Sequence, residues 1–280
     1  MARPNRIKKS GDAHYHVISR TNNRAFLFTK GSFKTKVIDL LNRCAEFSGI
    51  ILEAYCLMDN HFHLVCKVVK PDDPVPELEI LRRIAILKGQ EEANAIAEHW
   101  AELRRIHASA AVDDALKAWR VRMNDLSEFT KTFKQLTNNL YKASNPYVGS
   151  IWSGRFSSTL IQDGQYLATC IRYVEYNPLR ARLVTRARDY AWSSHNADSP
   201  AFCAPFAGPG PAKQASATGC EISGEMLMKR IPQLGEGKLF GSYEFVRNGM
   251  YAFGHCFQGR PVARPVIGNA YATHGHRIAG

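Results

Sequence analysis

The pattern of apolar and polar positions divides the chain into strands and helices before any chemistry is considered. His14 to Arg20 (HYHVISR) alternates with a period of two, as half-buried strands do, and Thr21-Asn22-Asn23-Arg24 follows as a polar turn. Phe33, Val37, Leu40, Leu41, Cys44 and Phe47 then recur at helical steps, with Ser32 placed as an N-cap and Gly49 as a C-terminal glycine. That spacing predicts an amphipathic helix of about four turns. Ile50 to Met58 and His61 to Val69 read as two strands joined by Asp59-Asn60. Asp and Asn tolerate the left-handed backbone that a two-residue link demands, so the prediction is a β-hairpin.

Further along, the period changes. Pro71 to Pro76 is a proline-rich, acidic connection, and from Glu77 to about Asn124 helical spacing dominates (Leu78, Leu81, Ile84, Ala85; Ala97, Trp100, Ala101, Leu103), which predicts an inserted helical pair or triple. His99 and His107 within it read as surface or packing residues. Leu126 to Ser144 is a helix with Phe129, Phe133, Leu136 and Leu140 on one face; its Lys131, Lys134 and Lys142 suit phosphate contact or a solvated face equally. Pro146 to Gly149 breaks it, and Ile151 to Ile161 fits a last core strand. Asp163 is placed as N-cap of a helix over Gly164 to Tyr176, in which Leu167, Ile171 and Val174 form one line and Tyr166, Cys170, Tyr173 and Asn177 another. Pro178 ends or kinks that helix. Tyr190 and Trp192 then anchor the chain back onto the core.

Strand, helix, strand, strand, helical material, strand, helix is the order of a ferredoxin-like α+β layer, an antiparallel sheet with helices on one face. The expected organisation is a basic N-terminal arm without fixed structure (1–11), a catalytic domain (12–197) with its helical insertion (about 77–124), a linker rich in Ala, Pro and Gly (198–220) and a C-terminal extension (221–280) ending in a basic tail. His274-Gly275-His276 in that tail is given no role. No internal repeat is found.

Charge adds a partner. A formal net charge of +12 and a pI near 9.5 call for an anionic one, nucleic acid ahead of a membrane surface. No apolar run reaches the roughly 18 residues of a membrane span, and the basic N-terminus lacks the apolar core of a signal peptide, so a soluble, cytoplasmic protein is expected. Seven scattered cysteines, with no Cys-x-x-Cys spacing, support neither a disulfide framework nor a zinc ribbon.

The hairpin carries the candidate chemistry. His61 and His63 point to the same side of a strand together with Lys67, while Phe62, Leu64, Cys66 and Val68 form an apolar face on the other. Two imidazoles that share a side can share a divalent ion; Mg²⁺ or Mn²⁺ also needs oxygen ligands from protein, water or a substrate phosphate. The amide oxygen of Asn177 is a candidate third ligand, and a helix-capping role accounts for it equally well. Tyr173, on the same line as Asn177, is either a nucleophile or a packing residue. A tyrosine that attacks phosphorus keeps the energy of the broken phosphodiester, so the strand can be rejoined without ATP. His14 and His16 make a second His-x-His pair, which beside the arm reads as incidental.

The segment Asp59-Asn60-His61-Phe62-His63-Leu64-Val65 resembles the NHxH segment of single-tyrosine HUH transposases, and Tyr173-Val174-Glu175-Tyr176-Asn177-Pro178-Leu179-Arg180-Ala181 resembles their tyrosine helix in the YIxxNPxRA form of REP-associated tyrosine transposases. His16-Val17-Ile18-Ser19-Arg20 with Asn22-Asn23-Arg24, Ile151 to Phe156 (IWSGRF) and Trp192-Ser193-Ser194 add to it, in family order over about residues 12–197. The resemblance implies a compact α+β fold acting on single-stranded or hairpin DNA. His61 and His63 would hold a divalent metal, Mg²⁺ or Mn²⁺, against the scissile phosphate, with Asn177 at the position of a polar ligand. Tyr173 would attack to give a 5′-phosphotyrosine and a free 3′-hydroxyl. Arg20, Arg24, Lys67, Lys134, Arg155, Arg180 and Arg182 are the candidate DNA contacts, and a homodimer is a candidate assembly. Two departures stand out: the insertion is larger than in minimal members, and Arg182 replaces the glycine that commonly ends NPxRAGLV. A non-cleaving, domesticated DNA-binding protein is the alternative from another functional class, and a replication-initiator or relaxase nickase would share the chemistry.

Overall fold

The computed structural model describes residues 7–145, 149–196, 234 and 239–253. Four antiparallel strands form its centre: β1 (Ala13–Arg20), β2 (Ile50–Leu57), β3 (His61–Val68) and β4 (Ser157–Ile161), in the order β2-β3-β1-β4. This is the ferredoxin-like order, in which β1 lies between the two strands farthest from it along the chain. A short β5 (Leu239–Phe240) joins β4 in parallel, so the complete sheet is mixed.

The period-two reading explains the layers. Val17, Tyr15 and Ala13 of β1 lie opposite Leu64, Cys66 and Val68 of β3, and these side chains fill the core under α1 (Gly31–Ser48) and α5 (Leu126–Lys142). Side chains of the other parity, Ala54, Cys56 and Val65, face α6 (Gln165–Glu175) with Leu167, Cys170, Ile171 and Val174. Helices therefore cover both faces, and the candidate chemistry lies beneath α6. The insertion is a triple, α2 (Glu77–Lys88), α3 (Gln90–Arg105) and α4 (Ser109–Arg120), which extends the α1 side of the core through Ile80, Ile84, Trp100 and Val112.

Several boundaries differ from expectation for identifiable reasons. Helix α1 starts at Gly31, after Lys30 and without a side-chain cap, and Gly31 lies so close to Trp192 that a Cβ there would sit 2.8 Å from the ring. Gly49 does end it, in the left-handed conformation at φ 64°. Asp59 and Asn60 are not left-handed. Their link is held from outside instead, by Thr21 and Phe28 amides donating to the Asn60 and Asp59 carbonyls at 2.9 Å. The last core strand is shorter than expected. Trp152 leaves the ladder after one bridge to Thr21 and buries its ring against Phe28 and Phe62, its Nε1 donating to the Lys134 carbonyl at 2.9 Å. Asp163 does not cap α6, because its carboxylate pairs with His14 Nε2 at 2.7 Å. Of the arm, residues 7–11 are described and fixed: Ile7 is buried, and Lys8 pairs with Asp125 at 2.7 Å. The expected linker over 198–220 and the tail with His274 and His276 lie outside the described residues. Among the described residues no helix is long and apolar enough to cross a membrane.

Candidate active site

Sheet register brings four histidines onto one face. Ile18 lies opposite His63 and Arg20 opposite His61, so the β1 side chains of the same parity, His14 and His16, share the face of the pair. His14 is taken up elsewhere. A register shift between Leu52 and Ala54 turns Glu53 toward it, and the Glu53 carboxylate pairs with His14 Nδ1 at 2.6 Å. His16 is different: its ring lies beside that of His63 with centroids 5.1 Å apart and planes 10° from parallel. His16 Nε2 is 2.9 Å from His63 Nδ1, and His16 Nδ1 is 2.9 Å from the Leu234 carbonyl oxygen. His61 lies edge-on to His63 at 5.0 Å, its Nδ1 2.6 Å from Asn60 Oδ1.

Helix α6 brings the tyrosine. The Tyr173 ring stands edge-on to His16 at 6.0 Å and to His63 at 6.1 Å, so about 110 residues of intervening chain close onto one point. The helix is anchored beyond its end. Buried Glu175 accepts from Ser194 Oγ at 2.9 Å, and the Ser194 amide donates to the Tyr55 carbonyl at 3.0 Å. Pro178 lies in a separate turn, α7 (Asn177–Arg180), which folds Arg180 back over the phenol. The guanidinium lies 3.9 Å from the Tyr173 ring centre and donates to the Tyr173 carbonyl at 2.7 Å. Asn177 Nδ2 donates to the Tyr173 and Val174 carbonyls at 3.1 and 3.3 Å. The capping role is thus realised by its nitrogen, which leaves the oxygen as the atom able to act as a ligand.

Burial controls the charge state. Desolvation lowers the His61 and His16 pKa values from 6.5 to about 4, with Arg20 adding to the effect on His61 and Arg180 to that on His16. His63 is held well below its ordinary value too, again chiefly by burial and then by the neighbouring imidazoles. All three are neutral at pH 7 and so present lone pairs, the form a metal ligand requires. Cys56, on the same face, is no competitor, since burial pushes its thiol far above the ordinary range. Among the described residues no group of three or more His, Cys, Asp or Glu side chains is arranged to hold a metal. The donor set at this point is two neutral imidazoles, which fits a divalent ion that takes its remaining ligands from oxygen.

Residues 9–110 match a family model described as Transposase IS200 like. Over that stretch the chain is similar to the IS200-like transposases. The matched stretch holds His16, His61 and His63, while Tyr173 and α6 lie beyond it. Among solved structures, a REP-associated tyrosine transposase bound to a REP hairpin is 13% identical with a TM-score of 0.43, covering 69% of this chain and 82% of that one. No curated protein matches the chain.

The candidate DNA contacts separate into groups. Arg20 is next to the centre, opposite His61, and the Arg24 carbonyl accepts from Asn60 Nδ2 at 2.9 Å. Lys134 and exposed Arg155 flank the Trp152 segment, where Lys134 Nζ donates to the Gly154 carbonyl. Arg180 packs on the tyrosine, and exposed Arg182 follows it in the left-handed conformation at φ 58°. Lys67 has the parity of the histidines but stands six residues along the strand, roughly 20 Å away. It lies 3.8 Å from the carboxylate of Asp12 at the other end of the sheet. His16 is the site member that the sequence reading passed over. The available signal was its shared parity with His14 in β1, which acquires meaning only once β1 is known to lie beside β3.

Proposed function

We propose that this chain is a DNA transposase that cleaves and rejoins single-stranded or hairpin DNA through Tyr173, with His61 and His63 holding a divalent cation, Mg²⁺ or Mn²⁺, and Asn177 as a further oxygen ligand. The observation that carries the reading is the convergence of the Tyr173 ring on the His61–His63 pair, 6.1 Å from His63, from a helix far away in sequence. The cation, when bound, supplies Lewis-acid polarisation of a phosphate oxygen. The chain's own residues do the rest. Tyr173 Oη attacks phosphorus and loses its proton, the bond from phosphorus to the 3′-oxygen breaks, and that oxygen takes up a proton as the free 3′-hydroxyl. The 5′-phosphate remains on Tyr173. Attack by a 3′-hydroxyl reverses the step and rejoins a strand with no external energy source. Arg180 holds the phenol through its ring face and helix carbonyl, so the nucleophile enters the reaction already oriented.

Around the site, Arg20, Arg24, Lys134, Arg155 and Arg182 supply cations for the phosphate backbone, in keeping with the net charge of +12. The test uses labelled hairpin and single-stranded DNA with Mn²⁺ or Mg²⁺. Wild type is expected to form a covalent protein–DNA adduct that Tyr173→Phe does not. DNA binding with no adduct over a broad substrate panel would assign the chain to non-cleaving binding instead, and an adduct formed by Tyr173→Phe would remove Tyr173 from the reaction.

A further inference from the structure

We propose that His16 is a positioning residue that fixes the tautomer of His63, leaving His63 Nε2 as a bare lone pair for the cation. The inference rests on the reading of His63 as a metal ligand, and the hydrogen-bond geometry carries it. A carbonyl oxygen only accepts, so the 2.9 Å contact between His16 Nδ1 and the Leu234 carbonyl places a proton on His16 Nδ1. In a neutral imidazole the other nitrogen is then an acceptor. The 2.9 Å contact from His16 Nε2 to His63 Nδ1 must therefore be filled by a proton on His63. His63 Nδ1 donates, and its Nε2 carries the lone pair.

His61 reaches the same state by a separate route. Asn60 Nδ2 donates to the Arg24 carbonyl at 2.9 Å, which turns its Oδ1 toward His61 Nδ1 at 2.6 Å. That oxygen accepts, so His61 Nδ1 is protonated and its Nε2 is also bare. Two unrelated partners, an amide in the hairpin turn and an imidazole on the neighbouring strand, thus set both histidines to one tautomer. Nothing in strand packing requires this agreement, and it leaves each ring one bare nitrogen to offer a shared cation; such supporting hydrogen bonds typically change metal affinity 10–100-fold. The relay starts at Leu234, so a backbone group from the C-terminal region takes part in a centre whose histidines lie within residues 9–110.

The test is made on the full chain in two arms. Imidazole ¹⁵N NMR of the metal-free protein should show His63 protonated at Nδ1 and bare at Nε2, and His16→Ala should mix or reverse that state. Titration with Mn²⁺ alone should weaken roughly 10–100-fold in His16→Ala and return to within a few-fold of wild type in His16→Gln, whose amide oxygen can accept the same proton. A His63 proton on Nε2 in wild type, or His16→Ala binding Mn²⁺ as tightly as wild type while folded, overturns the proposal. A wild type that binds no Mn²⁺ but shows the Nδ1 proton supports the relay and overturns the metal reading of the site, so the two failures are distinguishable.

Discussion

The histidine–tyrosine centre and the helical insertion use polar side chains in opposite ways. In the insertion the polar groups are charged and, Arg83 apart, partly in solvent: Arg82 bridges Glu79 and Glu46, Arg83 pairs with Glu79, and Arg104 pairs with Glu77, around a buried apolar set of Ile80, Ile84, Trp100 and Val112. Partly solvated pairs of this kind contribute little to stability, so apolar burial holds the insertion together. In the centre the polar groups are buried and neutral. The rings of His16, His61, His63 and Tyr173 touch one another, a carbonyl, an amide and a guanidinium. There the direction of each hydrogen bond matters more than its strength. The insertion should tolerate loss of any one charge, and the centre should not tolerate loss of any one of its hydrogen-bonding or metal-binding groups.

The largest expected effect breaks the comparison on the side of the centre. His61→Ala removes one of the two candidate imidazole donors to the metal, and cleavage of hairpin DNA should fall below detection. Hairpin affinity should change little, because phosphate contacts from lysine and arginine supply most of it. Adduct formation compared with fluorescence anisotropy on the same DNA measures both. Cleavage at the wild-type rate would remove His61 from the reaction.

The next effect is on stability alone. Ile84 is fully buried in the insertion core, so Ile84→Ala should cost about 2–5 kcal/mol in denaturant unfolding. The adduct yield of the folded fraction should stay at the wild-type level. A loss of cleavage at full folding would show that α2–α4 support the centre directly, and the contrast between the two regions would fail.

How much of this was legible beforehand follows from which forces are local. The hairpin, the parity of His61 and His63, α5, and the shared line of Tyr173 and Asn177 are all periodic features, and periodicity is written in sequence. His16 was passed over because its role depends on strand order, a long-range property that gives a His-x-His pair no distinguishing mark in β1. Lys67 misled for the complementary reason: parity specifies a face and says nothing of distance along it. Ser32 and Asp163 stand where caps belong, yet α1 starts at Gly31, against Trp192, and His14 takes the Asp163 carboxylate. At Asp163 a tertiary partner wins over local capping. The left-handed turn expected at Asp59-Asn60 failed because the loop after β1 holds that turn from outside.

Acid should separate the two regions by pH. In the metal-free protein His61 and His16 titrate near 4 when folded against 6.5 when unfolded, so between those values the unfolded chain binds more protons. The stability they contribute is complete above about 6.5 and is lost as the pH falls toward 4. Glu79 in the insertion is held at about 2 against 4.5 by Arg82 and Arg83, so its contribution is complete above 4.5 and is lost as the pH falls toward 2. Its side chain is partly in solvent, which makes this second loss the smaller one. His195 opposes the first loss, because Glu175 raises its pKa and the resulting stability is largest at low pH. Thermal melts from pH 8 to 3 should therefore show a main fall in Tm between 6.5 and 4 that shrinks in His16→Gln, and a minor fall below 4.5 that disappears in Glu79→Gln. A wild type whose Tm stays flat down to pH 4.5 would mean that the centre is not the buried neutral cluster described, and the difference between the regions would reduce to one of exposure.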